Sequence, residues 1–345
     1  MSAGLPERWP IEGAAAPSSA DASRRRAVVL SRLADVVALT KPRINVMVVA
    51  TALGGAWLAA RATGRDDPRV LLTALAATAL VVGGANALNM YLERDTDALM
   101  ARTRNRPLPA GRLPAWVALV VGLSLSALAL PWLTFAVNAA TGLLAAIALL
   151  AYVLLYTPLK RRTTASLLIG AVPGAMPPLI GWTAVTGGFE APGLLLFAVL
   201  FFWQVPHFLA IATFRRDDYA RAGLKVLPVE RGDRVTRWHI VGYLVALVTV
   251  SLLLAALDVG GPGYPAAAVL LGAAFLGFGL WGLRRGAGVR WARGLFFFSM
   301  IYLVLLLGAH GRGLIARQHG AVTGGFAGDA AFRRRVSSVA APPPR

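Results

Sequence analysis

An all-α fold, a polytopic membrane bundle of about nine transmembrane helices, is predicted by three observations. Of the 345 residues, 57% are apolar and only 15% are charged, well away from the composition of a soluble domain. The apolar residues gather in runs long enough to cross ~30 Å of hydrocarbon as helix. The loops between those runs are alternately rich and poor in basic residues. In chain order the spans fall near 44–62, 70–91, 114–132, 134–156, 164–184, 193–213, 238–257, 264–283 and 293–310. The first follows a basic, Ala- and Ser-rich arm. The second runs into the acids Glu93, Asp95 and Asp97, and Pro107 and Pro109 then stop the chain. The third and fourth are nearly continuous, and Pro131 is the expected break. The fourth ends at Tyr156, ahead of Pro158 and a basic triplet, and the sixth runs into Arg215 and Arg216. The remaining spans meet the same criterion of length and apolarity.

The net charge is +19, and its distribution assigns it to topology. With the N-terminus inside, 26 of the 35 basic residues lie in the N-terminal arm or the even-numbered loops. The odd-numbered loops hold only Arg61, Arg65 and Arg69, and the C-terminal tail holds six. By the positive-inside rule the N-terminus is cytoplasmic and the C-terminus outside. Nucleic-acid binding is excluded, because it needs a folded basic domain. The absence of cysteine excludes disulfides, thiolate metal sites and thioether-bound haem. Residues 1–40 are expected to form a disordered cytoplasmic arm, apart from a short amphipathic stretch near 27–39. Residues 41–310 form the transmembrane domain, and 311–345 a flexible tail. Arg24, Arg25 and Arg26 act as a topology anchor, since no apolar signal region follows them.

The chemistry is concentrated after the second span. Asn89, Glu93 and Asp97 recur every four residues and share one helix face, which Asn86 extends inward. Asp95 points elsewhere. Arg102, Arg104 and Arg106 follow at once. Carboxylates at a membrane boundary are costly to place. Beside guanidinium groups they suit a magnesium-bound phosphate ester, in which the metal takes one or two carboxylates plus phosphate oxygens. The loop after span six echoes this one on the same inner side, with Asp217 and Asp218 among seven basic residues. Such an arrangement lets two charged poles face one cavity.

The wording Asn89-x-x-x-Glu93-x-x-x-Asp97, followed by Arg102-Thr103-x-x-Arg106-Pro107, resembles the first acidic motif of the UbiA superfamily of intramembrane prenyltransferases. Its fuller form, through Leu108-Pro109, is similar to the haem-farnesylating branch of that superfamily. The resemblance covers about residues 35–310. It implies that Asn89, Glu93 and Asp97 hold magnesium and diphosphate and that Arg102 and Arg106 assist.

Three further motifs follow. Tyr156 and Lys160, four apart, read either as an aromatic anchor with inner positive charge or as diphosphate ligands; the resemblance favours the second, though Pro158 disturbs the helix between them. Trp203-Gln204-Val-Pro206-His207-Phe208 places Gln204 and His207 inside span six, where they must face the bundle interior. A histidine there is either a hydrogen-bonded packing residue or a ligand. The resemblance makes Gln204 and His207 the haem-lining pair. The second acidic loop, with Asp217, Asp218 and Tyr219, departs from the wider superfamily, whose carboxylates recur every four residues. Asp217 and Asp218 are expected to assist the diphosphate, against the alternative of a solvated charged loop. His239, His310 and His319 lie at span ends or in the tail and are expected to have no catalytic task.

The resemblance implies an inner-membrane enzyme that transfers the farnesyl group of farnesyl diphosphate to a vinyl group of protohaem IX (haem B), with haem O as product. Magnesium is the implied cofactor, and the bilayer and a downstream haem A synthase or oxidase assembly factor are the implied partners. The rivals are a quinone-precursor prenyltransferase of the same superfamily, a transporter and an assembly scaffold. A transporter would carry charges along its span centres, whereas here the acids cluster at one mouth beside arginines. A scaffold leaves the acidic motif unexplained.

Overall fold

The computed structural model describes residues 19–257, 262–284 and 286–321. Among the described residues every regular element is helical. The order is α1 (Ser19–Leu39), α2 (Pro42–Thr63), α3 (Pro68–Ala98), α4 (Ala115–Ala136), α5 (Ala139–Leu150), a π-helical turn (Ala151–Tyr156), α6 (Thr157–Leu159), α7 (Ser166–Thr186), α8 (Ala191–Phe214), α9 (Arg216–Arg221), α10 (Leu227–Glu230), α11 (Gly232–Ala256), α12 (Tyr264–Trp281) and α13 (Val289–Ala321). Nine of the described helices are long and apolar enough to cross a membrane, with α5, the π turn and α6 counting as one span. They coincide with the nine expected.

The spans close into two rings. In one, α2, α3, α4, α5 and α7 pack in sequence and α7 returns to α2. In the other, α8, α11, α12 and α13 do the same, and α7 packs on α8 to join the two. The central position of α7 explains why it is the most buried of the nine. Small residues allow it to sit there. A side chain at Gly181 would meet the carbonyl of Ala52, and one at Gly55 would meet that of Pro178, so α2 and α7 touch backbone to backbone. Gly181→Leu is therefore expected to destabilise the bundle by about 3 kcal/mol. A lowered midpoint of thermal unfolding in detergent would report it, and an unchanged midpoint would show that the contact is dispensable.

Three expectations need correction. Pro131 does not break the third span from the fourth, because α4 runs through it to Ala136. The break falls at Asn138, which is extended and accepts from the Thr141 backbone N–H at 2.9 Å. An N-cap starts the new helix there. The ordered part of the arm is longer than the stretch expected near 27–39, since α1 is helical from Ser19 and its end, Leu39, is fully buried. Residues 1–18 lie outside the described residues. At the other end α13 continues past 310 to Ala321, so the expected tail begins as helix. The rest of the tail and His319's side chain lie outside the description.

Candidate active site

Helix α3 carries the acidic motif to its C-terminal end and keeps it dry. Asn86, Asn89, Glu93 and Asp97 are all buried. Asp95, on another face, is exposed and pairs only with Arg94 at 3.6 Å. The three motif residues are linked by hydrogen bonds to cations from other segments. Asn89 Nδ2 donates to Glu93 Oε1 at 2.7 Å and to Thr157 Oγ1 at 3.1 Å. Lys160 Nζ forms an ion pair with the same Glu93 oxygen. Arg106 Nη1 meets Asp97 Oδ2 at 2.6 Å. Lys41 Nζ donates to Asn89 Oδ1 at 2.7 Å. Burial lowers the Lys41 pKa to about 8, Arg106 adding to the shift while Glu93 and Asp97 oppose it.

The loops that bear these groups are fastened to one another. Thr103 Oγ1 donates to the Asp97 carbonyl at 2.8 Å, which folds the arginine loop back over the end of α3. Met100 from that loop packs with Ala222 and Leu224, next to Tyr219, from the loop after α8. Burial raises the pKa of Tyr219, with Arg102 and Arg215 opposing. The Lys225 N–H donates to the Lys160 carbonyl at 3.1 Å. Asp95, Thr96, Leu99, Arg161 and Ala222 line a pocket of about 150 Å³ between the same three loops. The two loops touch there through Met100, Ala222 and Leu224, while Ala222 is the residue that the second acidic loop gives to the pocket lining.

Tyr156 and Lys160 owe their placement to a defect. Pro158 has no N–H, and its ring would crowd the carbonyl four residues earlier in a regular helix. The widened π turn at Ala151–Tyr156 precedes it. Thr157 Oγ1 donates to the Tyr152 carbonyl at 2.8 Å, and the Lys160 N–H still reaches the Tyr156 carbonyl at 3.1 Å. Tyr152 and Tyr156 stack with centroids 5.5 Å apart. Gly170 of α7 makes room, because a side chain there would run into the Tyr156 ring.

The remaining predicted residues do not join the cluster. Asp218 pairs with Arg221 and with Arg215 at 3.5 Å, both neighbours in its own segment, and Asp217 is exposed. Neither carboxylate touches the first motif. Gln204 and His207 face different neighbours. Gln204 Nε2 donates to the carbonyls of Leu200 at 3.2 Å and Ala171 at 3.4 Å, and a side chain at Gly174 would strike its amide. His207 Nδ1 bonds Ser299 Oγ of α13 at 2.7 Å, while its ring lies 4.7 Å from both Trp203 and Phe296. His239 is exposed and bonds the Val235 carbonyl at 2.9 Å. Sequence reasoning missed Lys41 and Thr157. Lys41 carried a signal, a lysine directly before a proline at the start of the first span, with a positive φ of 48°.

The donor set fits a magnesium ion. Asn89, Glu93 and Asp97 offer only oxygens, the hard donors magnesium selects. Asp97 Oδ1 is buried without a hydrogen-bond partner, which a cation would satisfy. No group of three His, Cys, Asp or Glu residues suits a metal among the described residues, so part of the shell must come from substrate phosphate and water.

Comparison with known proteins places this geometry. Residues 48–301 match the UbiA prenyltransferase family. A protoheme IX farnesyltransferase of Sorangium cellulosum (strain So ce56) is 62% identical over 275 residues, 76% of this chain and 98% of the relative. One from Myxococcus xanthus (strain DK1622) is 54% identical over 275 residues, 80% of this chain and 92% of the relative. Among solved structures, a digeranylgeranylglyceryl phosphate synthase superposes with a TM-score of 0.72 at 18% identity, covering 83% of this chain and 99% of that one. A UbiA homologue from Archaeoglobus fulgidus bound to GPP and Mg2+ superposes with a TM-score of 0.56 at 14% identity, covering 80% of this chain and 99% of its own. At those identities the structural matches establish the fold.

Proposed function

Because the chain belongs to the UbiA prenyltransferase family, we propose that it transfers the farnesyl group of farnesyl diphosphate to a vinyl group of protohaem IX, giving haem O and diphosphate. The observation that carries this reading is the protoheme IX farnesyltransferase 62% identical over nearly its whole length. The buried cluster in this chain supplies the chemistry.

Lys41, Lys160 and Arg106 contact Asn89, Glu93 and Asp97. On substrate binding these cations turn to the diphosphate oxygens, with Arg102 reaching from the loop above. Asn89, Glu93 and Asp97 are thereby released to hold magnesium. When bound, magnesium neutralises charge on the departing diphosphate. The fixed cations do the same for charge that develops on the bridging oxygen as the C1–O bond breaks. The allylic cation is attacked by the electron-rich vinyl carbon, and water captures the resulting porphyrin-side cation, losing a proton to leave a hydroxyl. The residues around the cluster are buried, which limits stray water before that step. No general base is needed to start the reaction. Asp217 and Asp218 act on the diphosphate only indirectly, Asp218 by holding Arg215 and Arg221 in the loop after α8, and the product passes to a downstream haem A synthase or oxidase assembly factor.

His207 is assigned to the haem side. It lies seven residues before the end of α8, about 10 Å along the helix from the charged loop, too far for phosphate contact. Its partners Trp203 and Phe296 are flat apolar surfaces of the kind a macrocycle stacks on. Gln204, on the adjoining face, holds α8 against α7 beside that region. His207→Ala is expected to weaken haem B binding about tenfold while the affinity for a non-hydrolysable farnesyl diphosphate analogue stays unchanged. Separate titrations decide it. Loss confined to the diphosphate analogue would reduce His207 to a packing residue on Ser299.

The protein is a multi-pass membrane protein, and the proposed orientation is N-inside, C-outside in the cell inner membrane. It rests on the bias of 26 inner against three outer-loop basic residues. A reporter fused at Gly232 should read as cytoplasmic and one fused after Gly311 as exported. The reverse pattern contradicts the orientation.

A further inference from the structure

Helix α1 has an apolar face that the protein does not cover. Val29, Leu30, Leu33 and Val37 lie along one side, and each is more than half exposed. Arg24 and Ser31, both exposed, project from the opposite side, Arg32 lies at the edge between the two, and the exposed Arg26 stands on the apolar side toward the free end of the helix. The acid on that side, Asp35, is taken by Arg112, whose Nε and Nη2 donate to it at 3.0 and 2.9 Å. The outward charge of the helix is therefore positive. Only its last turns touch the bundle, where Leu39 packs on Ala87 and Met90 of α3 and on Leu108. The 21 residues of α1 are ~32 Å long, so most of the helix extends past that contact. Ile44, Val46 and Met47, in the first turns of α2, are exposed apolar residues at the lipid boundary. α1 therefore ends at the depth of the headgroups.

We infer that α1 is an interfacial helix whose partner is an anionic lipid surface, and that its seating there holds Lys41 at the diphosphate site. An exposed Val and Leu stripe with arginines at its edge, at its free end and opposite it, their long stems able to carry the charge to the headgroups, is the pattern of a helix lying in the headgroup plane. The arginines meet anionic lipid there. A second copy of the chain is a poorer occupant, because it would bring the same arginines to the contact. The link to Lys41 is short and stiff. The Thr40 and Lys41 N–H groups donate to the Val37 and Ala38 carbonyls at 3.1 and 3.2 Å, and Asn86 Nδ2 holds the Thr40 carbonyl at 3.2 Å. Arg112 also donates to the Asn105 carbonyl at 3.1 Å, one residue before Arg106. A shift of α1 thus moves a cation on each side of the site. This second clause rests on the proposed diphosphate role of Lys41; the lipid contact does not.

The chain contains no cysteine, so single cysteines introduced at positions 29, 31, 32, 33 and 37 can each carry an environment-sensitive fluorophore. The full-length protein is placed in nanodiscs of phosphatidylcholine, with or without phosphatidylglycerol, and spin-labelled lipids serve as quenchers. Quenching at 29, 33 and 37 but not at 31 and 32, stronger with phosphatidylglycerol, is expected. Uniformly aqueous signals, or energy transfer between labelled copies in place of quenching, overturn the lipid assignment whatever the enzyme's substrate. In the second arm Val29→Ser/Leu33→Ser should raise KM for farnesyl diphosphate about fivefold, with KM for haem B unchanged. Quenching at the expected positions with an unaltered farnesyl diphosphate KM in that variant overturns the coupling to Lys41.

Discussion

Glu93→Gln is expected to lower magnesium-dependent farnesyl transfer at least about a hundredfold while the protein still inserts and folds. The amide keeps the size of the side chain and an oxygen to accept from Asn89 Nδ2, which lies at 2.7 Å from Glu93 Oε1. What disappears is the charge that pairs with Lys160 and that would bind metal. Raising magnesium should not restore the rate, since the missing charge also organises Lys160. Initial rates across a magnesium titration measure this, and wild-type turnover at ordinary magnesium would remove Glu93 from the metal role. Asn89→Ala and Asp97→Asn should lower the rate in the same way, Asn89 because it is hydrogen-bonded to Glu93 and Asp97 because it offers the other carboxylate on the same helix face.

Lys41→Met should raise KM for farnesyl diphosphate about 10- to 100-fold, the range for one charge-assisted hydrogen bond. The thioether retains most of the length of the side chain, so packing beside α3 changes little. KM for haem B should hold, because Lys41 lies at the Asn89 end of the cluster and His207 is held by Ser299 in the other ring. Steady-state kinetics with each substrate varied separately provides the check. Equal increases in both KM values would point to a collapsed site and would contradict a specific role.

The contrast between Glu93 and Lys41 shows what could be read from residue order. Asn89, Glu93 and Asp97 lie on one helix, so periodicity alone places them together. Lys41 meets Asn89 across 48 residues, and that contact depends on how α1 and α2 dock on α3. The nine spans were legible because hydrocarbon demands long apolar helices. Their inner details followed weaker rules. Pro131 is absorbed inside α4, whereas the cap formed by Asn138 and Thr141 makes the break. The later half of α1 was legible as an amphipathic stretch near 27–39, whereas its first turns, rich in Ala, Ser and Arg, carry no apolar periodicity to announce a helix. Gln204 and His207 were expected to face the bundle interior, and the resemblance paired them; inside the bundle Gln204 bonds α7 and His207 bonds α13. Asp217 and Asp218 were paired with the site by analogy between two loops, while their short segment supplies its own arginines.

The most direct test is to incubate the purified protein in lipid with haem B, farnesyl diphosphate and magnesium and to extract the haem for mass spectrometry. The expected product is haem B enlarged by one farnesyl group and one hydroxyl derived from water, with diphosphate released in equal amount and none formed by Glu93→Gln. Unaltered haem, with the farnesyl group appearing instead on an added quinone precursor, would contradict haem as the acceptor.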